Sequence, residues 1–334
     1  MNIYIYPPLA PVDEKAVNNP YMSNFIKGLS KTNKRILNSK HPVNISIIDL
    51  SKKVFSVDFL ILNWIEYLGT RKYGTIQFLI FLFLFPILLF RKVKILWIIH
   101  DIHPHQGETF ISSFIKKLML NYATILVTHS KAAKNYFQNK TKKNIHFFHH
   151  PIDLENYNLE NSGNSENTTK SYEILIWGSI EPYKGILEFL QFVNEKNLNW
   201  KIKIVGKCKN ENYENEISKY FNSNIEFENK IASFNEIYQL VKLSKFVLMP
   251  YKSTSVSSSG ILMDSFCLGA NVIGPNKGAF ADMHNLNLCH VYDNYEDLIE
   301  IINNYSTFDK KHLNNFLETI KWSEFSKSII NLVK

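Results

Sequence analysis

Four stretches of this chain place reactive side chains where a strand would hand over to a helix. Ile176-Trp177-Gly178-Ser179-Ile180-Glu181-Pro182-Tyr183-Lys184-Gly185 follows an apolar run and opens a helical pattern with Lys184 in its first turn. Free amides at a helix start beside an ammonium make an anion site. The same residues also suit a plain turn whose Gly185 eases the reversal and whose Lys184 is only solvated. In the second stretch, residues 201–207, a strand ends in Gly206 and a further lysine, Lys207. In the third, Met249-Pro250-Tyr251 leads into a serine-rich loop, and Ser258, Ser259 and Gly260 open the next helix. Hydroxyls and unpaired amides at such a start donate to phosphate oxygens. Asp264 stands four residues after Gly260, one turn on along the same face. A carboxylate there can accept from the two hydroxyls of a ribose, or be a solvated helix residue. In the fourth stretch, His100-Asp101-Ile102-His103-Pro104-His105 ends an apolar strand with three imidazoles and a carboxylate. Histidine titrates near neutral pH and can exchange protons with a reacting group. Metal binding and a purely structural role are the competing readings, and Pro104 breaks helical i, i+4 ligand spacing. His129, His149 and His150 end later strands in the same half.

The elements that would position these residues follow from short apolar runs alternating with longer helical patterns, the rhythm of a parallel α/β protein. Strands are expected at Asn2–Tyr6, Asn44–Ile48, Phe59–Asn63, Lys94–Ile99, Thr124–Thr128 and Ile145–Phe148, with helices at Tyr21–Leu37, Gln77–Phe90, Ile111–Asn121 and Lys131–Gln138. The second half gives strands at Glu173–Trp177, Lys201–Val205, Ile225–Phe227, Phe246–Met249, Asn271–Gly274 and His290–Tyr292. Its helices are expected at Lys184–Glu195, Asn210–Phe221, Phe234–Ser244, Gly260–Leu268, Tyr295–Asn304, Lys311–Ile320 and Trp322–Val333. The strands are apolar on both faces, as when helices cover both sides of a sheet. A polar, aperiodic stretch over 156–172 reads as a linker between domains at 1–155 and 173–334, with the last helix packing back on the first domain. The expected fold is therefore two Rossmann-like, doubly wound α/β domains facing across a cleft, each binding its ligand at the carboxyl ends of its strands.

The 334 residues are 45% hydrophobic and 20% charged, a globular composition that excludes disordered and fibrous architectures. Cys208, Cys267 and Cys289 have neither zinc spacing nor a disulfide framework, which suits a reducing compartment. The formal net charge of +8 favours anionic partners, namely nucleic acid, a phosphorylated ligand or an acidic membrane surface. Its lysines are spread along the chain without a nucleic-acid-binding module, so no nucleic-acid partner is expected. Met1–Tyr6 enters directly as a strand, without the pattern of an export signal, and a cytoplasmic location is expected. Thr75–Phe90 is a 16-residue run without charge, interrupted by Pro86 and followed by Arg91-Lys92-Val93-Lys94. A span needs roughly 20 apolar residues. The run therefore reads as a buried helix or as one that also dips into a membrane face.

Taken together, Gly178-Ser179-Ile180-x-x-Tyr183-Lys184-Gly185, then Lys203-Ile204-Val205-Gly206-Lys207, then Pro250-Tyr251 with Ser259-Gly260-x-x-x-Asp264-x-x-x-x-Gly269, resemble the donor domain of GT-B glycosyltransferases. Within that fold they look like the retaining family four and its bacterial surface-polysaccharide relatives. Asn19-Pro20-Tyr21, the His100-Asp101 strand end and Trp322-Ser323-Glu324-Phe325 resemble that group too, so the likeness runs over nearly the whole chain. It implies that Lys184 neutralises the donor diphosphate with Lys207 as helper. Gly178, Ser179 and Tyr251 would line the donor site, and Ser258, Ser259 and Gly260 would hold the distal phosphate. Asp264 would bind the ribose, Ile231 the base, and His100 the donor sugar. His103, His105 and His150 would touch sugar or acceptor. The first acid of the family's E-x7-E pair is replaced by Val256, and the arginine after the first glycine by Ser179.

The resemblance implies hexosyl transfer from a UDP- or GDP-linked sugar to a hydroxyl of a glycan or polyprenyl-linked acceptor, with peripheral contact at the cytoplasmic membrane face. Lys184, Lys207 and the helix start at Gly260 would stabilise the departing diphosphate. There is no Asp-x-Asp pair, so no metal or other cofactor is expected. Asp101 could serve as an inverting base, which leaves the anomeric outcome open. The alternatives are a nucleotide-sugar epimerase or hydrolase, an inactive scaffold of the same fold, and a basic nucleic-acid-binding protein.

Overall fold

A computed structural model describes residues 1–9, 20–39, 45–102, 107–157, 169–252 and 259–333. Two compact units emerge, one of Met1–Pro151 with Ile320–Lys334, the other of Ile152–Thr319. The first unit runs β1 (Asn2–Tyr6), α1 (Tyr21–Ser30), β2 (Arg35–Ile36), α2 (Ser46–Lys53), β3 (Phe59–Asn63), α3 (Gly74–Phe90), β4 (Lys94–Ile99), α4 (Phe110–Tyr122), β5 (Ile125–Thr128), α5 (Lys131–Gln138) and β6 (Ile145–Phe147). The second runs β7 (Tyr172–Trp177), α6 (Ile186–Glu195), β8 (Ile202–Val205), α7 (Glu211–Ser218), β9 (Ile225–Glu228), α8 (Phe234–Leu243), β10 (Ser244–Leu248), α9 (Gly260–Cys267), β11 (Val272–Pro275), α10 (Gly278–His284), β12 (His290–Tyr292), α11 (Asp297–Asn303) and α12 (Lys310–Thr319). A last helix, α13 (Trp322–Asn331), returns to the first unit.

Each sheet has six strands and the pairings are parallel, in the order β2-β1-β3-β4-β5-β6 in the first unit and β12-β11-β10-β7-β8-β9 in the second. Period-2 geometry divides the strand residues of the first unit between two cores. Tyr4, Leu60, Leu62, Ile95 and Trp97 pack with the helices α2, α3 and α4. Ile3, Ile5, Phe59, Ile61, Leu96 and Ile98 pack with α1 and with Trp322, Phe325 and Ile329 of α13. Burial on both faces is what the uninterrupted apolar runs of these strands encode.

Three local expectations are corrected. Of the strand expected at Asn44–Ile48, Ser46–Ile48 instead begin α2, and Asn44 lies outside the described residues. Ile47, Leu50 and Val54 recur at helical spacing into the core, and the Tyr4 hydroxyl donates to the Ser46 carbonyl and to Asp49. The helix expected over Tyr21–Leu37 ends at Ser30, and Arg35–Ile36 pairs with β1 as an edge strand. Helix α10 was not among the expected helices.

Helices α1 and α13 meet over Gly28, where an added Cβ would lie 2.6 Å from the Ser326 Oγ and 2.8 Å from the Trp322 carbonyl. Helix propensity alone would make Gly28→Ala stabilising by about 1 kcal/mol. Because backbone blocks the methyl, Gly28→Ala should instead destabilise by about 1–3 kcal/mol, read as a lower midpoint in urea unfolding. An unchanged or raised midpoint would show that the two helices are not in contact there.

Candidate functional site

The strand order of the second unit reverses direction at one place, between β7 and β10. The chain lays β8 and β9 on one side of β7, then crosses over to place β10, β11 and β12 on the other. In an open parallel sheet, the carboxyl ends of the strands at such a reversal are where ligands bind. Three sequence stretches converge there. The β7 loop carries Gly178, Ser179 and Lys184, the β10 loop carries Tyr251, and α9 begins at Gly260 behind the cap residue Ser259.

Two close approaches hold these loops together. Gly178 has φ +99°, and a Cβ on it would strike Ile261 of α9 at 2.5 Å and stand 3.5 Å from the Lys184 ammonium. The left-handed φ favours glycine there, and a Cβ would also displace the Ile261 side chain that α9 packs against this turn. Gly185 has φ +69°, and a Cβ there would run into the Pro250 carbonyl at 2.0 Å. The Tyr295 hydroxyl lies 3.2 Å from both the Gly185 and Pro250 carbonyls, and the Lys252 amide donates to the Tyr183 carbonyl. The rings of Tyr183 and Tyr251 lie parallel, 6.0 Å apart. Ser259 accepts from the Leu262 amide and is hydrogen-bonded to Tyr251, while Gly260 and Ser179 are exposed.

Lys184 is the unusual member. Its side chain is 5% exposed, and its ammonium has no hydrogen-bond partner. Burial pulls its pKa down to about 8, opposed weakly by Glu181. The same sheet shows how a buried lysine is ordinarily accommodated. Lys203 on β8 reaches Glu226 and Glu228 on the adjacent β9, at 3.0 and 2.5 Å, and its pKa is raised. Lys184 has no such pair, although burying an uncompensated ammonium is costly. The arrangement leaves one cation, a helix start and a capping hydroxyl around a glycine-lined turn, a set that complements a phosphate-bearing anion.

Asp264 lies within α9, as the spacing requires, but accepts a hydrogen bond from the Tyr157 hydroxyl at 2.5 Å. Burial raises its pKa to about 6, and the Tyr157 bond opposes that rise. Tyr157 packs edge-on to Phe234, and next to Asp264 the Ser265 hydroxyl receives the Trp177 indole N–H. Neither Tyr157 nor Trp177 was anticipated as part of this group. Ile231 presents a largely exposed side chain in the loop between β9 and α8. Lys207 is exposed, and its carbonyl accepts from the Ile180 amide. Ser258 lies outside the described residues.

In the first unit the strand ends of β3, β4, β5 and β6 gather a different group. His100 is 4% exposed, stacks on Trp64 at 4.0 Å and shares a hydrogen bond with Asn63. Tyr21 has its ring edge-on to those of His100 and His150, and its hydroxyl lies 2.8 Å from His129 Nε2. His129 Nδ1 pairs with the Phe148 carbonyl, and His150 Nδ1 with that of Pro151. Burial lowers the pKa of His100 well below the usual imidazole range, that of His129 to about 3 and that of His150 to about 4. These rings are neutral at physiological pH, fitted for hydrogen bonding rather than for donating protons. Asp101 accepts from the Tyr67 hydroxyl at 2.9 Å. Glu66 lies buried beside it, its pKa raised to about 7 by desolvation with a contribution from Asp101; it accepts from the Trp97 indole. Asn63, Trp64 and Glu66 carry no motif that singles them out. His103 and His105 lie outside the described residues. Among the described residues, no group of three or more His, Cys, Asp or Glu side chains is placed to hold a metal.

No protein-family model matches the chain, and neither does any curated protein. Solved structures do. Sucrose-phosphate synthase from Thermosynechococcus elongatus superimposes with a TM-score of 0.68 over 99% of this chain and 98% of its own, at 10% identity. Anabaena HepE, solved with UDP, gives 0.66 over 100% and 99%, at 9% identity. An α-glucosyltransferase solved with UDP-glucose and DNA gives 0.60 over 100% and 98%, at 13% identity. These likenesses, spanning almost the whole chain on both sides, show the GT-B fold expected from the motifs.

The burial of Lys184 predicts a stability signature. An ammonium whose pKa falls from 10.5 unfolded to about 8 folded costs stability wherever it is charged. The cost is full below pH 8, shrinks between 8 and 10.5, and is on the order of 3 kcal/mol. Lys184→Met should therefore raise the unfolding free energy at pH 7 by about 1–3 kcal/mol, with the gain fading by pH 10. Denaturant melts at the two pH values read this directly, and a loss of stability at pH 7 would contradict it.

Proposed function

We infer that the chain is a glycosyltransferase that moves a hexose from a nucleoside diphosphate sugar to a hydroxyl acceptor. The observation that carries this reading is the buried Lys184 ammonium, over the Tyr251 ring but without a hydrogen-bond partner, at the strand-order reversal of the second sheet. A diphosphate seated there would supply the missing counter-charge. Departure of the nucleoside diphosphate concentrates negative charge on its phosphate oxygens, and Lys184 with the amides at the start of α9 would stabilise it. Ser259, held to Tyr251, would present its hydroxyl side toward the distal phosphate. The ribose hydroxyls would exchange with Tyr157 for Asp264, and Ile231 would lie against the base. The similar structures support a UDP-linked donor, since HepE was solved with UDP and with UDP and glucose.

On the acceptor side, His100, His129 and His150 form a neutral, aromatic-walled group suited to sugar hydroxyls, with Asp101 as the carboxylate beside them. The acceptor is a glycan or a polyprenyl-linked glycan used at the cytoplasmic membrane face, in bacterial surface-polysaccharide synthesis. Reaction without a metal follows from using Lys184 and a helix start to carry the leaving-group charge.

Thermal unfolding with UDP, GDP, CDP and ADP in EDTA tests the donor site. One nucleoside diphosphate at 100 times its Kd should add about 2.7 kcal/mol of stability, read as a raised Tm. The shift should vanish in Lys184→Met and shrink in Asp264→Asn. Because the Lys184 ammonium must be charged to bind, the shift should also weaken as pH rises through about 8. No shift with any of the four would refute the reading.

A further inference from the structure

The apolar run, read as a buried helix or as one that also dips into a membrane face, is buried on one side only. Along α3, Phe78, Phe81, Leu84, Phe85 and Leu88 face the core. Ile76, Leu79, Phe83 and Phe90 do not, and they are between 57% and 90% exposed. With the exposed Pro86 they recur at steps of three and four residues, one continuous stripe down the outer face of the helix. The stripe does not stand alone. Phe78 meets Phe114 of α4 at 5.7 Å, and Phe85 meets Tyr122 at 6.0 Å, so α3 and α4 run side by side in the same direction. Helix α4 adds Phe110, 80% exposed, and partly exposed Phe114 and Tyr122. At the far end of α3, the Arg91 guanidinium donates to the carbonyls of Val54 and Val57 and so brings the exposed Phe55 to the same end.

Scattered surface apolar residues need no explanation, whereas a contiguous set of large ones marks an interaction surface. The charge around this one says what it meets. Between Glu66 and Asp101 the sequence holds no acidic residue but has Arg71, Lys72, Arg91, Lys92 and Lys94. Lys72 and Lys92 are exposed and flank the two ends of α3, and exposed Lys117 follows Phe114 on α4. A band of exposed aromatic and aliphatic side chains edged by lysines, with no acid in the sequence between Glu66 and Asp101 and with Glu108 beside α4 paired to Lys116, fits an anionic lipid surface. The helix cannot serve as a span. Its 17 residues reach about 25 Å, short of a hydrocarbon core of about 30 Å. Among the described residues, no helix is long and apolar enough to cross a membrane.

We propose that the outer face of α3, extended by α4, lies in the interface of an anionic lipid bilayer, with Ile76, Leu79, Phe83 and Phe90 inserted and Lys72, Lys92 and Lys117 on the headgroups. This deepens the acceptor half of the proposed function by naming the surface that meets the membrane. Its test involves no nucleotide and no sugar transfer, so it can fail while the donor reading stands, and the reverse. The purified full chain is sedimented with vesicles of phosphatidylcholine alone and with vesicles carrying about one third phosphatidylglycerol. The expected result is binding to the anionic vesicles at least about tenfold stronger than to the neutral ones, weakened by salt. Phe83→Ser with Phe90→Ser should abolish it, and Lys72→Glu with Lys92→Glu should remove the preference for anionic lipid. The substituted residues are exposed, so an unchanged melting curve shows that each variant is folded. The proposal is overturned by absence of binding to either vesicle, by equal binding to both, or by binding that Phe83→Ser with Phe90→Ser leaves intact. A dimer in light scattering that the same pair dissociates also overturns it, since a second copy would then cover the face.

Discussion

A buried ammonium without a counter-ion is the constraint around which the second unit is arranged. Lys184 stands in the turn after β7, where Gly185 lets the backbone at Pro250 come closer than a side chain would allow and Gly178 leaves room for the Ile261 side chain of α9. Folding tolerates the charge because the sheet and its covering helices stabilise the turn from elsewhere. Ile176, Ile186 and Phe189 anchor its two sides in the core, and Tyr295 ties the Gly185 and Pro250 carbonyls. Function-bearing positions commonly oppose stability in this way. The contrast with Lys203 makes the point within one sheet. One lysine is buried with two glutamates across a strand pair, and the other is buried without any.

The first unit solves a different problem, that of assembling polar rings at a strand edge without leaving them unsatisfied. Each histidine in the group is bonded to a neighbour, His100 to Asn63, His129 to Tyr21 and the Phe148 carbonyl, His150 to the Pro151 carbonyl. Burial then holds the rings neutral. Helix α13 completes this group, since Trp322 packs against both Tyr21 and Phe25 and Phe325 against His129. The last residues of the chain therefore support the environment of residues near its start.

Much of this was legible in the sequence, and the reasons it was or was not are physical. Phe59–Asn63 and Lys94–Ile99 matched their strands to the residue because burial on both faces leaves an uninterrupted apolar run with sharp polar ends. Asn44–Ile48 misled because three isoleucines in five residues favour a strand locally, while the packing of Ile47 and Leu50 against Tyr4 decides for a helix. The turn carrying Lys184 was readable from its glycines and proline. Its lack of a partner was not, because pairing depends on which acids the sheet brings alongside. Tyr157 was invisible for the same reason, bonded to Asp264 across 107 residues of chain. The uncharged run over Thr75–Phe90 announced a helix, buried or also dipping into a membrane face, and its composition alone could not say which residues form the stripe that stays outside.

The central claim is that Lys184 waits for a diphosphate, and proton linkage reports on that atom directly. At pH 8.5 the free ammonium is partly deprotonated, and a bound diphosphate would draw its pKa back up. Titration calorimetry of UDP or GDP binding at that pH, in buffers of different ionisation heat, counts the protons taken up. The account predicts net uptake of a fraction of a proton approaching one, falling as the pH is lowered toward 7.5, above the range where the terminal phosphate of the ligand itself titrates, and absent in Lys184→Met. Binding with no proton uptake at pH 8.5, or uptake that persists in Lys184→Met, would contradict it.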